Sequence, residues 1–443
     1  MAEGFSNPIV AAGVTGLHDL YATRAVTPVE AVEVYLARIA RLNPALGAVT
    51  DLDAEGAQAA AHASAARWAS NAPLSHVDGA PILVKSNIAV AGLPWTAGIG
   101  AYRGRIADAD AEVVARLRRA GAVILGCVNM HEGALGATTD NPWFGRTENP
   151  HRAGSTPGGS SGGSGAAAAA GLCAAALGTD TMGSVRIPSG YCGIFGHKPT
   201  RGRIPTAGVT ELSWTLDHIG PHARSADDCA AILNAVAPGR EARNPDRPLA
   251  VLEFDGQVDA QPQVRAGLEA VVDHARREGL RVEPLRLTDY DFGRMRRLGL
   301  LISEAEGYVI HEAALAADPE GFSDAFRPLL QWGATQPAHK LARAYRDLAA
   351  AAEALRTAFA PYAGVLMPTA PQTAFAFGPA PANQADFTAI ADFTGQPATA
   401  FPAGVTNEGL PLSCQVVTPD DAQALALARK LALPTPAPPD FRG

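Results

Sequence analysis

The sequence predicts an α/β protein built on one large mixed β-sheet that α-helices cover on both faces. From about residue 80, short apolar runs typical of strands, Pro81 to Val84 and Ala122 to Leu125, alternate with helical segments such as Ala111 to Ala120. This alternation is typical of α/β sheets. Two later runs, Leu249 to Phe254 and Val365 to Met367, have the same character, so we expect the sheet to continue through both halves of the chain.

A helix is expected to begin after Thr27. This residue supplies an N-cap hydroxyl, a proline follows at the first helical position, and Glu30 stands three residues after the cap, which is the pattern of a capping box. Apolar residues then recur at intervals of three and four, as on the buried face of an amphipathic helix. We expect Glu33, Arg38 and Arg41 to stay in water on the opposite face. The apolar face comprises Val32, Tyr35, Leu36, Ile39 and Leu42.

The composition is that of a globular protein and excludes one class of function. Of the 443 residues, 47% are hydrophobic and only 18% are charged, so the chain can bury a large core and disorder is not expected. The formal net charge of −8 argues against sequence-independent binding of nucleic acid, because that binding depends on basic residues that neutralise phosphates. We therefore expect no nucleic-acid partner.

Cysteine usage and hydropathy indicate a soluble, cytoplasmic protein. The five cysteines are odd in number and far apart, so we expect reduced thiols rather than a zinc or redox motif. The N-terminus carries Glu3 and no basic segment, unlike a secretory signal. The longest apolar run, Gly165 to Gly178, is shorter than the roughly 20 residues that a membrane-spanning helix needs. We therefore expect no membrane partner.

The glycine- and serine-rich segment from Gly158 to Gly171 is the most unusual part of the chain. A flexible linker does not usually continue into an alanine-rich helix former. A phosphate-binding P-loop would need a lysine after the glycines, and none follows. Gly158 to Gly162 also fits the GxSxG pattern of a nucleophile elbow, but that elbow needs a strand directly before it, and Gly154 to Pro157 has the composition of a turn.

Two serines and a lysine stand in positions that allow chemistry. Ser184 follows Ser160 by 24 residues, which is enough for one helix to form and for the chain to return beside the first serine. Lys85 ends the apolar run Ile82 to Val84. Because a lysine at the end of a buried strand is easily desolvated, its pKa can fall far enough for it to act as a base.

At these positions the chain resembles the amidase signature family. The resemblance is dense from about residue 81 to residue 200, becomes thinner near Asp217, and ends in GLPLSCQ at Gly409 to Gln415. Several specific motifs stand in the expected order and at the expected spacing. They are VKSNI at Lys85, NMHE at Asn129 to Glu132, GGSSGGSGAA, GTDTMGSVRIPS, GxxGHKPTRGRIP at Gly193 to Pro205, and SWTLDHIGPHARSADD.

The resemblance implies a fold, a catalytic triad and a mechanism. The fold would be that of the amidase signature enzymes, with Ser184 as nucleophile, Ser160 as the bridging serine and Lys85 as base. The family has a cis peptide bond before the bridging serine, so Gly159–Ser160 is expected to be cis. Neutral Lys85 would accept the Ser160 proton while Ser160 accepts that of Ser184, in a variant of Ser-Lys catalysis. No metal or organic cofactor is implied.

The resemblance also implies an oxyanion hole formed by the backbone N–H groups of Thr181, Met182, Gly183 and Ser184. Here the sequence departs from the family, which usually has two glycines before the nucleophile, because Met182 occupies the first of those positions. If this position requires a positive φ, the methionine introduces strain. A second departure is Ser86, where family members often have an aspartate after the lysine.

Three further residues are candidate substrate contacts by resemblance: Met130, Ser161 and Arg186. The counterpart of Arg186 holds a substrate carboxylate in family members that use acidic amides, while without that context Arg186 is a structural ion-pair partner. Ser161 can equally hydrogen-bond the turn that carries it. With a lysine-based triad present, we expect the nearby histidines to be structural, and they are His131, His197 and His218.

We expect one domain over residues 1–443. The polar, proline-rich stretch Ala237 to Pro248 opens a region without a recognisable catalytic motif, which includes the helical block Arg297 to Ala360. We interpret this region as a variable cover that determines the substrate. The predicted segments are an N-terminal helical segment (1–75), the catalytic core (76–236), the substrate-determining region (237–360) and a return to the core sheet (361–443).

These observations predict an amidohydrolase that cleaves a small carboxamide, or a related carbon–nitrogen bond, to an acid and ammonia or an amine. Two alternatives stay open: a glutamine-hydrolysing subunit of an amidotransferase, which needs a partner chain, and a catalytically silent scaffold that only binds. The KPTRGRIP loop and the unfamiliar block from Arg297 to Ala360 favour a free-standing amidase. The expected partner is the small-molecule substrate, with a homodimer as a further option.

Overall fold

The computed structural model describes residues 5–239 and 247–441. In these ranges eleven strands form one mixed sheet, and two short strands form a separate ribbon. Along the chain the strands are β1 Val49–Leu52, β2 Pro81–Lys85, β3 Val123–Val128, β4 Asp140–Asn141, β5 Gly145–Arg146, β6 Ala175–Asp180, β7 Phe195–Lys198, β8 His218–Ala223, β9 Leu249–Glu253, β10 Val282–Arg286, β11 Gly364–Pro368, β12 Ala398–Val405 and β13 Pro411–Val417.

The order of the large sheet is β1-β3-β2-β6-β8-β7-β12-β13-β11-β9-β10, and β4 pairs with β5 in the ribbon. Every residue of β2, β3, β6 and β8 is buried, so both faces of the sheet are covered at its centre. The helices are α1 Pro8–Ala22, α2 Pro28–Leu46, α3 Ala54–Ala69, α4 Glu112–Arg119, α5 Gly162–Ala169, α6 Arg186–Tyr191, α7 Ala226–Val236, α8 Pro262–Arg277, α9 Phe292–Ala317, α10 Arg327–Ala334, α11 Ala338–Phe359, α12 Ala389–Thr394 and α13 Asp421–Leu431.

Strand direction brings distant parts of the sequence to one edge of the sheet. β2 is parallel to both β3 and β6, with Val84 opposite Leu177 in the register. The carboxyl ends of β2 and β6, at Lys85 and Asp180, therefore lie side by side. β8 runs antiparallel to β6 and begins at His218, opposite Asp180. This edge is the place where the candidate active site forms.

The predicted continuation of the sheet into the second half of the chain is confirmed. β9 is parallel to β10 and β11, with Val365 opposite Ala250, and β11 pairs with β13. Residues 237–360 thus supply two strands as well as a helical cover, while the role of this region in substrate choice stays a prediction. The predicted loop from Ala237 to Pro248 falls largely on residues 240–246, which lie outside the described residues.

The predicted capping box of α2 is confirmed. The Thr27 hydroxyl accepts a hydrogen bond from the Glu30 N–H at 3.2 Å, and the Glu30 carboxylate accepts one from the Thr27 N–H at 2.7 Å. The expectation that Arg38 stays in water is wrong. Its guanidinium is buried and donates to the carbonyl oxygens of Ala170, Gly171 and Phe441, so this arginine satisfies carbonyl groups from two other parts of the chain.

Within 5–239 and 247–441, none of the helices has both the length and the apolar character that crossing a bilayer demands.

Replacing Thr27 with alanine is expected to lower the free energy of unfolding by about 1 kcal/mol, because the N-terminus of α2 loses its side-chain acceptor. Urea denaturation would measure the change. Thr23→Ala is the matched control, since the Thr23 hydroxyl is exposed and bonds only to carbonyl groups of its own helix. A loss at Thr27 no larger than that at Thr23 would contradict the proposed contribution of the cap.

Candidate active site

Lys85 ends β2 and is fully buried. Its Nζ donates hydrogen bonds to Ser160 Oγ at 2.7 Å and to Thr179 Oγ1 at 2.8 Å. Burial lowers the pKa of Lys85 to about 7, although the negative charges of Asp217 and Asp180 partly oppose the shift. The amine is therefore largely neutral at mildly alkaline pH, and a neutral amine can accept a proton from the hydroxyl beside it.

Ser160 lies in a tightly enclosed turn, and the predicted cis peptide bond between Gly159 and Ser160 is present. Ser160 is fully buried, and its carbonyl oxygen accepts a hydrogen bond from the His131 N–H at 2.9 Å. A Cβ on Gly159 would lie 2.7 Å from the backbone at Ala137 and Thr138. Only glycine can therefore precede Ser160 without displacing that loop.

Ser184 follows β6 and is partly exposed, so a substrate can reach it. Its carbonyl oxygen accepts a hydrogen bond from the Ser161 N–H at 3.3 Å, which joins the two serine-bearing turns through the backbone. Within the described ranges the Ser184 hydroxyl makes no hydrogen bond. The structure therefore brings Lys85 and Ser160 into contact. Ser184 lies on the adjoining turn, but its hydroxyl is not hydrogen-bonded to that of Ser160. Catalytic hydrogen bonds are often long or unformed in enzymes without substrate.

Asp180 organises the turn before Ser184. Its carboxylate accepts hydrogen bonds from the N–H groups of Gly183 at 2.6 Å and Val185 at 3.0 Å. It also pairs with Arg186, whose Nε and Nη2 lie 3.0 and 2.9 Å away. Burial alone would raise the pKa of Asp180, but the charge and hydrogen bonds of Arg186 hold it below its usual range. Asp180 is therefore ionised and fixes the backbone on both sides of Ser184.

The expectation that Arg186 contacts the substrate is corrected. Arg186 is fully buried, and all five of its N–H donors are occupied. Nε and one Nη2 donor bind Asp180, the second Nη2 donor binds Asp392 at 2.6 Å, and Nη1 donates to Thr388 O and to Gln415 Oε1 at 2.8 Å each. No donor remains for a substrate carboxylate, so the ion-pair interpretation of Arg186 is the one that holds.

One of the four expected oxyanion donors is already used within the turn. The Gly183 N–H already donates to Asp180, so it is not available to an oxyanion. The N–H groups of Thr181, Met182 and Ser184 make no hydrogen bond with any residue in 5–239 or 247–441. The strain considered at Met182 does not arise, because the positive φ of this turn, 129°, belongs to Gly183.

Two polar residues at the site were missed as functional candidates. The Thr179 hydroxyl accepts hydrogen bonds from Lys85 Nζ at 2.8 Å and from Asn87 Nδ2 at 3.2 Å, so it helps to orient the amine. Asn87 stands two residues after Lys85, in the VKSNI motif. The motif itself was the available signal, since it placed Asn87 at the end of the same strand.

The sequence places Asp217 in the SWTLDHIGPHARSADD motif but assigns it no role at the site. Its carboxylate accepts hydrogen bonds from Thr181 Oγ1 at 2.6 Å and from the N–H groups of Leu212 at 2.8 Å and Ser213 at 3.2 Å. Burial raises the pKa of Asp217 to about 6, and these hydrogen bonds oppose the shift. Asp217 thus anchors Thr181, at the start of the turn before Ser184, to the loop that precedes β8.

The two other candidate substrate contacts differ in their surroundings. Met130 is fully buried and packs with Ala134 and Leu212. The Ser161 hydroxyl donates to Thr179 O at 3.1 Å and accepts from Thr179 N–H at 3.2 Å, so its proton is used within the turn. The ring nitrogens of the three histidines contact groups other than the serines. His131 Nδ1 accepts from Thr139 N–H, His197 lies between Thr399 and Asp421, and His218 Nδ1 lies beside Asp180 O and Asp392.

Comparison with known proteins identifies the family. The Amidase family model matches residues 30–425. A glutamyl-tRNA(Gln) amidotransferase subunit from Anaeromyxobacter sp. (strain K) is 34% identical over 474 aligned residues, covering 95% of this chain and 96% of that protein. The crystal structure of an amidase superimposes with a TM-score of 0.85 at 30% identity, covering 94% of this chain and 98% of the other.

A solved structure of an amidotransferase subunit also matches this chain. The crystal structure of a glutamyl-tRNA(Gln) amidotransferase subunit from Thermotoga maritima gives a TM-score of 0.74 at 26% identity, covering 92% of this chain and 94% of that one. The resemblance seen in the motifs thus extends over nearly the whole chain and over the whole fold. The chain belongs to the amidase signature family of hydrolases.

Proposed function

We propose that this protein hydrolyses a small carboxamide to an acid and ammonia or an amine through an acyl-enzyme on Ser184. The observation that carries the proposal is the 2.7 Å hydrogen bond between Lys85 Nζ and Ser160 Oγ. The lysine is fully buried, and its pKa is lowered by burial to about 7. A base of this kind, in contact with a hydroxyl beside an accessible serine, is suited to activating a serine nucleophile.

The proposed reaction starts when Ser184 Oγ attacks the carbonyl carbon. As that bond forms, the Ser184 proton moves to Ser160 and the Ser160 proton moves to neutral Lys85. The negative charge on the carbonyl oxygen is stabilised by the N–H groups of Thr181, Met182 and Ser184, which are free to donate among the described residues. Protons then return along the same path to the leaving nitrogen, the carbon–nitrogen bond breaks, and water hydrolyses the ester.

A glutamine-hydrolysing subunit of an amidotransferase is the second candidate. The 34% identity to an amidotransferase subunit over 95% of this chain favours it. The fit to a solved amidase, with a TM-score of 0.85 against 0.74 for the solved amidotransferase subunit, favours a free-standing enzyme, as does the absence of a free donor on Arg186 for a carboxylate.

A homodimer and a cytoplasmic location stay predictions from the sequence.

Ammonia release by the purified chain alone, across aliphatic, aromatic, dicarboxylic and ureido amides and glutamine, would test the proposal. We expect turnover of at least one amide without a second protein, and a loss of about a millionfold in kcat for Ser184→Ala. Ser70→Ala is the control, because Ser70 is exposed at the end of α3 and bonds only to carbonyl groups of that helix.

The alternatives give different results in the same experiment. Ammonia released from glutamine only, and only with a co-purified second chain, would establish the amidotransferase role. A folded protein whose Ser184 does not react with a sulfonyl fluoride would instead support the silent scaffold.

The value of kcat/KM is expected to rise about tenfold per pH unit below about pH 7 and to level off above it, because only the neutral form of Lys85 can accept the Ser160 proton. The direction follows from burial, which lowers the pKa of Lys85 and so makes the base form dominant above about 7. A pH–rate profile would measure this. A flat profile between about pH 6 and 9, with chemistry rate-limiting, would rule out Lys85 as the base.

Asp217→Asn is expected to move the acidic limb of that profile to lower pH. Burial lowers the pKa of Lys85 and the charge of Asp217 partly offsets this, so removing the charge favours the neutral amine. Asp228→Asn is the matched control, because Asp228 is a buried carboxylate that bonds to Thr15 on α1. An equal shift in both variants, or a shift to higher pH at Asp217, would be inconsistent with this coupling.

A further inference from the structure

The peptide unit that joins Met182 to Gly183 is held at both of its polar ends. Its N–H group donates to Asp180 Oδ1 at 2.6 Å, and its carbonyl oxygen, which belongs to Met182, accepts from Thr388 Oγ1 at 2.6 Å. Because a peptide unit is planar and trans, its N–H and C=O groups point in opposite directions and rotate together. The two hydrogen bonds therefore select the same orientation of the unit.

Gly183 gives this unit the freedom to rotate. Its φ of 129° lies in a region that residues with a side chain rarely adopt, whereas glycine exchanges readily between this region and others. A Cβ on Gly183 would also lie 2.3 Å from Thr388 Oγ1, so a larger residue here would displace Thr388. The turn requires a glycine at this position, and glycine does not by itself keep one conformation.

Thr388 is itself fixed by the network that holds Asp180. It directly precedes α12 and is fully buried, and its carbonyl oxygen accepts from Arg186 Nη1 at 2.8 Å. Arg186 in turn binds Asp180 through Nε and Nη2. The hydrogen bonds thus close a ring, since the peptide unit bonds to Asp180 at one end and to Thr388 at the other.

Rotating the unit by half a turn would break both hydrogen bonds and bring the Met182 carbonyl oxygen towards the Asp180 carboxylate. An ionised carboxylate can only accept hydrogen bonds, so these two groups cannot pair. The rotation would also change ψ of Met182 and φ of Gly183, and with them the angle between the N–H groups of Met182 and Ser184. These are two of the donors that bond to no residue in 5–239 or 247–441.

We propose that Thr388 is a positioning residue for the reaction: its hydroxyl holds the Met182–Gly183 peptide unit so that the N–H groups on either side converge on the oxyanion. This inference rests on the proposed amidase function and adds to it a residue that lies 206 positions after Met182. Donors stabilise an oxyanion when they already point at it before the reaction. Thr388 therefore acts on the rate of the chemical step through the peptide unit.

The test compares Thr388→Val with Thr388→Ser on an amide that the unmodified protein hydrolyses. Valine has nearly the shape of threonine without the hydroxyl, so we expect kcat to fall about tenfold while KM stays within about twofold, as for an interaction made in the transition state. Serine keeps the hydroxyl and should recover most of the lost rate. The acidic limb of the pH–rate profile should stay at about pH 7 in both variants, because Lys85 is untouched.

Thr394→Val is the matched control. Thr394 lies at the end of α12, is buried, and donates its hydroxyl to the carbonyl oxygens of Ile390 and Ala391. Urea denaturation should show similar losses of unfolding free energy for both valine variants, whereas only Thr388→Val should lower kcat. A fall in kcat no larger than that of Thr394→Val, or a loss of kcat/KM that lies entirely in KM, would overturn the inference.

Failure of the proposed function is distinguishable, because the unmodified protein would then turn over none of the amides. In that event the rate at which a sulfonyl fluoride modifies Ser184 decides the question, since charge that develops on a sulfonyl oxygen requires the same donors. Labelling about tenfold slower in Thr388→Val than in Thr394→Val supports the inference. Equal rates, or no labelling of any of these proteins, refute it.

Discussion

Burial of the Lys85 amine at the end of β2 is the constraint on which the rest of the site depends. An ammonium group without water is costly, and the cost falls when the group is neutral and hydrogen-bonded. The hydroxyls of Ser160 and Thr179 provide those bonds, and each comes from a different element. The parallel pairing of β2 with β6 brings Thr179 beside the lysine, and the turn before α5 brings Ser160. The fold thus makes one buried amine usable as a base.

A second buried network holds the turn that carries Ser184, and it makes no hydrogen bond to Lys85 or to Ser160 Oγ within 5–239 and 247–441. Asp180 binds the backbone around Ser184, and Arg186 connects Asp180 to Asp392. A buried ion pair contributes little net stability after its desolvation cost, but removing one partner leaves an unpaired charge. The network therefore serves to define one geometry of the turn. The Gly183 N–H is one of the bonds of this network, because it donates to Asp180 and so holds the turn itself.

Short-range sequence patterns predicted the cap of α2 and the central strands. The wrong predictions concern Arg38 and Arg186, whose side chains bond to distant parts of the chain. The α2 cap and the strands at Pro81 and Val123 follow from neighbouring residues, so sequence spacing is sufficient to find them. The environment of Arg186 depends on Thr388, Asp392 and Gln415, more than two hundred residues away. Spacing within a motif carries no information about such partners. Arg38 was misjudged for the same reason, because its carbonyl acceptors come from the distant Ala170, Gly171 and Phe441.

The packing of Met182 shows how the turn before Ser184 and helix α9 are matched in volume. The resemblance to the family indicated a glycine at this position, and Met182 adds a long side chain that must occupy space. Gly299 on α9 leaves that space open, since a Cβ there would approach the methionine sulfur to 2.5 Å. Because interiors are close-packed, a larger residue on the turn requires a smaller one opposite. Gly299 therefore allows α9 to pack directly against the turn that carries Met182.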